Sequence, residues 1–224
     1  MSETFFRALV VTKNDDKTFT REVTERKIND LPEGEVLIRV RYSSLNFKDG
    51  LSCIGNPGVT RNYPHTPGID ASGEVAESSD SRFKEGDFVI VSGYNLGMDT
   101  SGGFGQYIRV PADWIEPLPE GLTVKEAAIY GVAGFTAALS VDALQKHGIV
   151  PEDGEVVVTG STGGVGSVSV ALLSHLGYNV VASTGKKEES EFLSEIGASQ
   201  IISREEVNDE SNKPLLSERW GGAI

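Results

Sequence analysis

The 224-residue chain has one cysteine, three histidines and too few basic residues to balance its acids. Each shortage closes off a class of protein. A lone cysteine, Cys53, makes neither an internal disulfide nor a thiolate zinc cluster, which excludes disulfide-stapled secreted scaffolds. With 33 Asp and Glu against 20 Lys and Arg, the net charge of −13 repels phosphate backbones and argues against nucleic-acid binding. No uninterrupted apolar run approaches the ~20 residues that span a bilayer, so no membrane partner is expected. The start, MSETFFRALVV, carries an acid before its apolar stretch and no basic signal-type region. The expectation is a globular protein of a reducing, cytoplasmic compartment, with 38% hydrophobic residues to build a core.

What is present changes character partway along the chain. Up to about residue 120 the segments are short and β-rich. Arg7–Thr12, Glu35–Leu45, Asp70–Glu77, Phe88–Ser92 and Gly105–Val110 read as five strands divided by Gly/Pro turns. That pattern predicts an antiparallel sandwich or partly open barrel. From Thr123 helices take over. Thr123 with Glu126 forms a capping-box pattern for a helix over Thr123–Tyr130. A second helix over Gly134–Lys146 would place Phe135, Leu139, Ala143 and Leu144 on one face. Glu155–Thr159, Val165–Leu176, Asn179–Ser183, Lys187–Ile196 and Gln200–Ser203 then alternate strand and helix, the pattern of a doubly wound parallel sheet. The expected domains are residues 1–122 and 123–224.

The most informative stretch is Val156-Val-Val-Thr-Gly-Ser-Thr-Gly-Gly-Val-Gly166, where an apolar strand runs into a glycine cluster that opens a helix. Glycines there let a pyrophosphate approach the backbone and rest on the free N–H groups of the helix start. Aligned as S-x-G-x-x-G, the segment departs from the dinucleotide fingerprint at Ser161, with Gly160 just before it. The expected contacts are Ser161, Thr162, Gly163, Gly164, Val165 and Gly166, along a helix with Val165, Val168, Leu172 and Leu176 on one face. At the end of the next strand an NAD site carries an acid for the ribose 2′-hydroxyl. This chain has Ser183, Thr184, Gly185 and Lys186 instead, followed by Lys187. Hydroxyls and ammonium groups suit a 2′-phosphate, so NADP(H) is the expected cofactor, with Lys186 its main cation.

Three further segments stand out: Pro67-Gly-Ile-Asp-Ala-Ser-Gly-Glu-Val75, Phe83-Lys-Glu-Gly-Asp-Phe-Val89 and Gly134-Phe-Thr-Ala-Ala138. Together these linked motifs resemble the medium-chain dehydrogenase/reductase superfamily. Ser43-Ser-Leu-Asn-Phe-Lys-Asp-Gly50 and Pro111-Ala-Asp-Trp-Ile-Glu-Pro-Leu-Pro119 are similar to its zinc-independent quinone oxidoreductase branch, nearest the bacterial acrylyl-CoA reductase type. The resemblance implies a GroES-like, partly open β-barrel followed by a Rossmann-type NADP-binding domain, and a homodimeric parent enzyme. Zinc-dependent members carry cysteine and histidine where Asn46 and Ile69 stand, so no metal is expected. By the same resemblance Asn46, Asp49 and Tyr94 are catalytic candidates, while Asn46, Phe47 and Thr136 join the cofactor site. Asn46 is expected to donate a hydrogen bond to a carbonyl oxygen or to the nicotinamide ribose. Asp49 is expected to orient Asn46 or Lys48 or to join a proton relay, and Tyr94 to line the substrate cleft. Phe47 stands where many members have tyrosine, which removes a phenol donor.

A metal-free site suits hydride addition to an activated C=C bond, because the substrate's own carbonyl delocalises the charge. The expected substrates are small molecules: enoyl thioesters of the acrylyl-CoA kind, enones or quinones. A cofactor-binding sensor with little turnover is the alternative on the same fold. Trp220-Gly-Gly-Ala-Ile224 reads as the start of a fourth nucleotide-sheet strand, so the chain is expected to hold the first half of that domain and to be shortened relative to the parent enzyme.

Overall fold

The computed structural model of the chain describes residues 4–208 and 218–224. It divides into two compact units, Met1–Val132 and Ala133–Ile224. The division falls later than the junction at 122–123 expected from sequence, because the segment after Thr123 bonds into the first unit. Ser72 Oγ donates to the Val124 carbonyl at 2.6 Å, and the Val132 N–H donates to Asp70 Oδ2 at 3.3 Å.

In the first unit, β1 (Phe5–Lys13) and β2 (Phe19–Lys27) form an antiparallel pair in unbroken register from Phe5↔Lys27 to Lys13↔Phe19. A five-stranded antiparallel sheet follows the order β6 (Tyr107–Val110), β3 (Val36–Tyr42), β4 (Asp70–Ser78), β5 (Phe88–Ser92), β7 (Ile115–Pro117). The expected alternation in β3 is present, with Val36 and Ile38 buried alongside Val75, Val89, Val91, Ile108 and Val110 in one core. Two strands, β2 and β7, were not among the five expected. β2 is mostly exposed and charged, so it shows no apolar alternation and is held by its ladder to β1. A short helix, α1 (Phe47–Cys53), connects β3 toward β4. His65 lies in the segment between α1 and β4 and is buried. Its backbone exchanges hydrogen bonds with Val11, and its Nε2 bonds the Gly97 carbonyl at 2.8 Å.

Helix α2 (Val124–Lys146) begins with the capping box expected from sequence. Thr123 N–H donates to Glu126 Oε2 at 2.8 Å, and the Glu126 N–H donates back to Thr123 Oγ1 at 3.2 Å. The helical path breaks at Gly131, whose φ of 49° and ψ of −152° lie outside the helix region. The two helices read from sequence are therefore two halves joined at this residue. Among the described residues this helix is long and apolar enough, by length and composition, to cross a membrane. The scan for uninterrupted apolar runs passes over it because Lys125, Glu126 and Asp142 lie within it.

In the second unit a parallel sheet runs in the order β10 (Gln200–Ile202), β9 (Asn179–Ser183), β8 (Glu155–Val158), β11 (Gly222–Ala223). Helices α3 (Gly164–His175) and α4 (Ser190–Glu195) provide the crossovers. The expected strand starting at Trp220 is present in shorter form, as β11 pairs with β8 at Gly222↔Val156 and Ala223↔Val157. Two predicted helix faces need correction. α3 buries Gly166, Ser169, Val170 and Leu173, while Leu176 is exposed and Val165, Val168 and Leu172 are half-buried. After the break at Gly131, α2 buries Gly134, Ala137 and Val141 and leaves Phe135 and Leu139 exposed. In both helices small residues, Gly166 and Ser169 in one and Gly134 and Ala137 in the other, are among the buried positions, and a reading that follows bulk selects the wrong stripe.

Candidate functional site

In the second unit β8 ends at Val158, and the chain turns through Gly160, whose φ of 56° is the left-handed conformation that favours glycine. Gly163 N–H closes the turn onto the Gly160 carbonyl at 2.8 Å and sits at the N-cap of α3. A Cβ on Gly166 would collide with the Gly160 carbonyl oxygen and lie 2.7 Å from Ser161 Cα. Gly166 is thus the residue that lets the helix start nest on the turn. The tight-turn role of the first fingerprint glycine falls to Gly160 rather than to position 161.

Ser161 has a different task. It is fully buried, and its Oγ donates at 2.6 Å to the Val158 carbonyl and also lies 3.1 Å from the Ser183 carbonyl. The hydroxyl clips the ends of β8 and β9 together. The first-turn N–H groups of α3 have no intrahelical acceptors, and with the helix dipole they favour an anion over Gly163–Gly166. Val165 supplies one of those N–H groups. Ala133 Cβ lies 3.0 Å from where a Gly164 Cβ would stand, so the start of the second unit packs on this turn, with Thr136 one helical turn further on and exposed.

The segment at the end of β9 meets the glycine turn. Thr162 Oγ1 and Thr184 Oγ1 are 3.5 Å apart, and the Lys186 N–H donates to Thr184 Oγ1 at 3.0 Å. Ser183 is buried and its Oγ donates to the Ser203 carbonyl at 3.3 Å. Gly185 and Lys186 are exposed at the rim. A residue not picked out from sequence joins them: a Cβ on Gly185 would meet Arg204 Nε at 2.9 Å. The guanidinium thus lies against the turn that follows β9. Arg204 was missed because it comes after β10, outside the strand-end segment in which a ribose-binding residue is sought.

The first unit gathers a second polar cluster, at the start of α1. Asp49 is buried, and burial pushes its carboxyl above the ordinary range while N–H donors pull against that shift. Its Oδ2 accepts from the Asn46 N–H at 2.8 Å, and its Oδ1 accepts from the Gly68 and Ile69 N–H groups at 3.1 and 3.0 Å. Asp49 therefore holds the Asn46 backbone and ties α1 to the residues that lead into β4.

Asp70, quoted in a sequence motif but not singled out, is the centre of the cluster. It is buried, and its carboxylate accepts from five donors. Ser44 N–H at 2.7 Å and Ser43 Oγ at 3.4 Å reach Oδ1. Ser44 Oγ, Asn46 Nδ2 at 3.2 Å and the Val132 N–H at 3.3 Å reach Oδ2. Asn46 Nδ2 also donates to Ser44 Oγ at 3.0 Å. A Cβ on Gly131 would lie 2.7 Å from Asp70 Oδ2 and 2.8 Å from Ser44 Oγ, so the break in α2 is what admits this carboxylate. Phe47 is almost fully exposed on the first turn of α1. Tyr94, at a φ of 52°, stacks on Trp114 at 5.2 Å between centroids, and its hydroxyl donates to the Asp113 carbonyl at 3.2 Å. Among the described residues no group of three His, Cys, Asp or Glu is arranged to hold a metal ion.

Comparison with known proteins follows this geometry. The alcohol dehydrogenase GroES-like domain family matches residues 32–120. Acrylyl-CoA reductase AcuI of Ruegeria pomeroyi is 49% identical over 98% of this chain and 67% of its own length. A crystal structure of the yhdH oxidoreductase of Salmonella enterica in complex with NADP superposes with a TM-score of 0.92 at 43% identity, covering 97% of this chain and 66% of that one. Bacillus subtilis yhfP with NAD bound gives a TM-score of 0.94 at 49% identity, covering 98% of this chain and 67% of that one. The chain spans about two thirds of the length of these relatives.

Proposed function

Since the chain belongs to the medium-chain dehydrogenase/reductase superfamily, we propose that it is an NADPH-dependent, zinc-independent oxidoreductase acting on an activated C=C bond or a quinone. The observation that carries this reading is the glycine turn of Gly160–Gly166, adjoined through Thr162 and Thr184 by the segment after β9, against which Arg204 lies at Gly185. NADP(H), when bound, supplies or accepts the hydride. The cradle fits that group, because the space a Cβ would fill at Gly166 is already taken by backbone, and the first-turn N–H groups of α3 are left to receive a pyrophosphate.

The residues divide the work by chemistry. Thr162 through Gly166 would receive the pyrophosphate, with Ser161 holding the two strand ends at the spacing the turn requires. Thr184, Lys186 and Arg204 would receive the 2′-phosphate, which explains the lack of a carboxylate at the end of β9. In the first unit Asn46, with Asp49 and Asp70 behind it, forms the polar wall of the catalytic site. Its amide is engaged by a carboxylate and a hydroxyl rather than presented as a ligand, in keeping with metal-free chemistry. Substrates of the acrylyl-CoA, enone and quinone classes need little acid–base machinery, since hydride addition at the β-carbon gives an enolate that the substrate itself stabilises. We further propose a homodimer in the cytoplasm, as the resemblance implies.

The test is NADPH oxidation with acrylyl-CoA, an enone and a quinone offered separately. Oxidation with at least one, unaffected by a metal chelator, is the expected result. Tight NADPH binding with no oxidation by any of the three would reject the reductase in favour of a binding protein. Equal affinity for NADH and NADPH would reject the 2′-phosphate assignment.

A further inference from the structure

We infer that Asp70 is a positioning residue that fixes the Asn46 side-chain amide with its oxygen outward, so that Asn46 serves the site as a hydrogen-bond acceptor. The inference rests on the reading of Asn46 as part of the catalytic wall, and it reverses the donor role that the sequence suggested. The direction follows from counting protons. The Asp70 carboxylate only accepts, so the group of Asn46 at 3.2 Å from it is the NH2. Ser44 Oγ has one proton, which it gives to Asp70 Oδ2. Its oxygen can then only accept from Asn46, again from the NH2, at 3.0 Å. Both contacts are therefore made by the NH2, which faces the cluster.

Oδ1 has no such partner among the described residues. The Asp49 N–H, the α1 donor placed to cap it, donates to the Asn46 backbone carbonyl at 3.0 Å, and Asn46 is only half-buried, so the oxygen remains for a ligand. What it can receive is a hydroxyl or an N–H, such as a sugar hydroxyl or a carboxamide NH2. It cannot stabilise a carbonyl or enolate oxygen, since two acceptors repel. The arrangement is also hard to reverse. Flipping the amide would set its oxygen against Oδ2, and the Gly131 backbone, with no room for a Cβ, closes the space into which the carboxylate would withdraw.

Two measurements test this. The first needs no turnover: the Asn46 side-chain amide in a ¹⁵N-labelled protein, identified by its loss in Asn46→Ser. Two slowly exchanging, well-separated protons that collapse to ordinary asparagine behaviour in Asp70→Asn are expected. Exchange in the parent as fast as in exposed asparagines would overturn the inference. The second is a charge swap, read as kcat/KM for NADPH. Asn46→Asp sets two carboxylates in contact and should lose about 100-fold or more. Adding Asp70→Asn gives the introduced carboxylate an NH2 partner and again turns an oxygen outward, so the double variant should recover to within about tenfold of the parent. An outward donor could not be restored this way, and a double variant that folds, with Ser44 and Val132 amide shifts retained, yet stays inactive would overturn the inference. If none of the three acceptors is reduced by NADPH with the parent protein, the functional reading fails and the amide measurement alone decides the orientation.

Discussion

The two polar clusters are built from opposite materials. In the first unit, side-chain carboxylates act as acceptors and backbone N–H groups come to them: Asp49 takes three and Asp70 takes two, alongside hydroxyl and amide donors. In the second unit the backbone supplies donors, and side chains such as Ser161 merely hold strand ends in place. The carboxylates of one cluster are satisfied from within, whereas the other keeps N–H groups at a helix start with no intrahelical acceptor. The difference teaches where an anionic ligand belongs, and why one cluster depends on side-chain identity while the other depends on the absence of side chains.

Substitutions can break that contrast in either unit. Asp49→Ala would strand three N–H groups, two of them buried, and a loss of about 3 kcal/mol in urea-unfolding stability is expected, with activity falling alongside. An unchanged unfolding midpoint would contradict the structural role. Gly166→Ala introduces a Cβ where the Gly160 carbonyl stands and must displace the start of α3. NADPH affinity by fluorescence titration should drop about 100-fold, the scale of an ångström-sized misplacement. Arg204→Gln is narrower: NADPH affinity should fall about tenfold and NADH affinity should not move, which sharpens the assignment of the 2′-phosphate.

Titration of His65 offers a fourth comparison. Burial depresses its pKa below the ordinary 6.5, with the Gly97 carbonyl opposing the shift, so the folded state holds the neutral form. The unfolded chain binds the proton more readily, and stability therefore falls as pH drops below about 6.5, by at most ~1.4 kcal/mol per unit. His65→Gln should flatten that slope in urea titrations at successive pH values. Smallest of all, Tyr94→Phe removes one exposed 3.2 Å hydrogen bond while leaving the stack on Trp114, and stability should change by less than about 0.5 kcal/mol.

Legibility in the sequence followed the same divide. β5 and β9 match their predicted limits because short apolar runs are bounded there by turn residues. The glycine turn was visible because its function lies in a contiguous stretch of residue types. β2 was not, since FTREVTERK owes its conformation to pairing with β1. Asp70 stood in plain view within Pro67–Val75, but its partners come from Ser43–Asn46 and from Val132, and no local pattern announces such a meeting. Arg204 was hidden for the same reason. The helix faces failed because Gly166, Ser169 and Ala137 do the packing that a bulk-weighted reading assigns to Leu176, Phe135 and Leu139.

The long reach of the Asp70 bonds also bears on the order in which the first unit assembles. Its donors lie 26, 24 and 62 residues away, at Ser44, Asn46 and Val132. Closing loops of that length costs chain entropy before any bond repays it, whereas the β1–β2 pairing joins neighbours in the chain. The five-stranded sheet faces the same cost, since β3 pairs with β6 from Val36 to Val110, so the carboxylate that orients Asn46 and the sheet that carries it close on loops of comparable length.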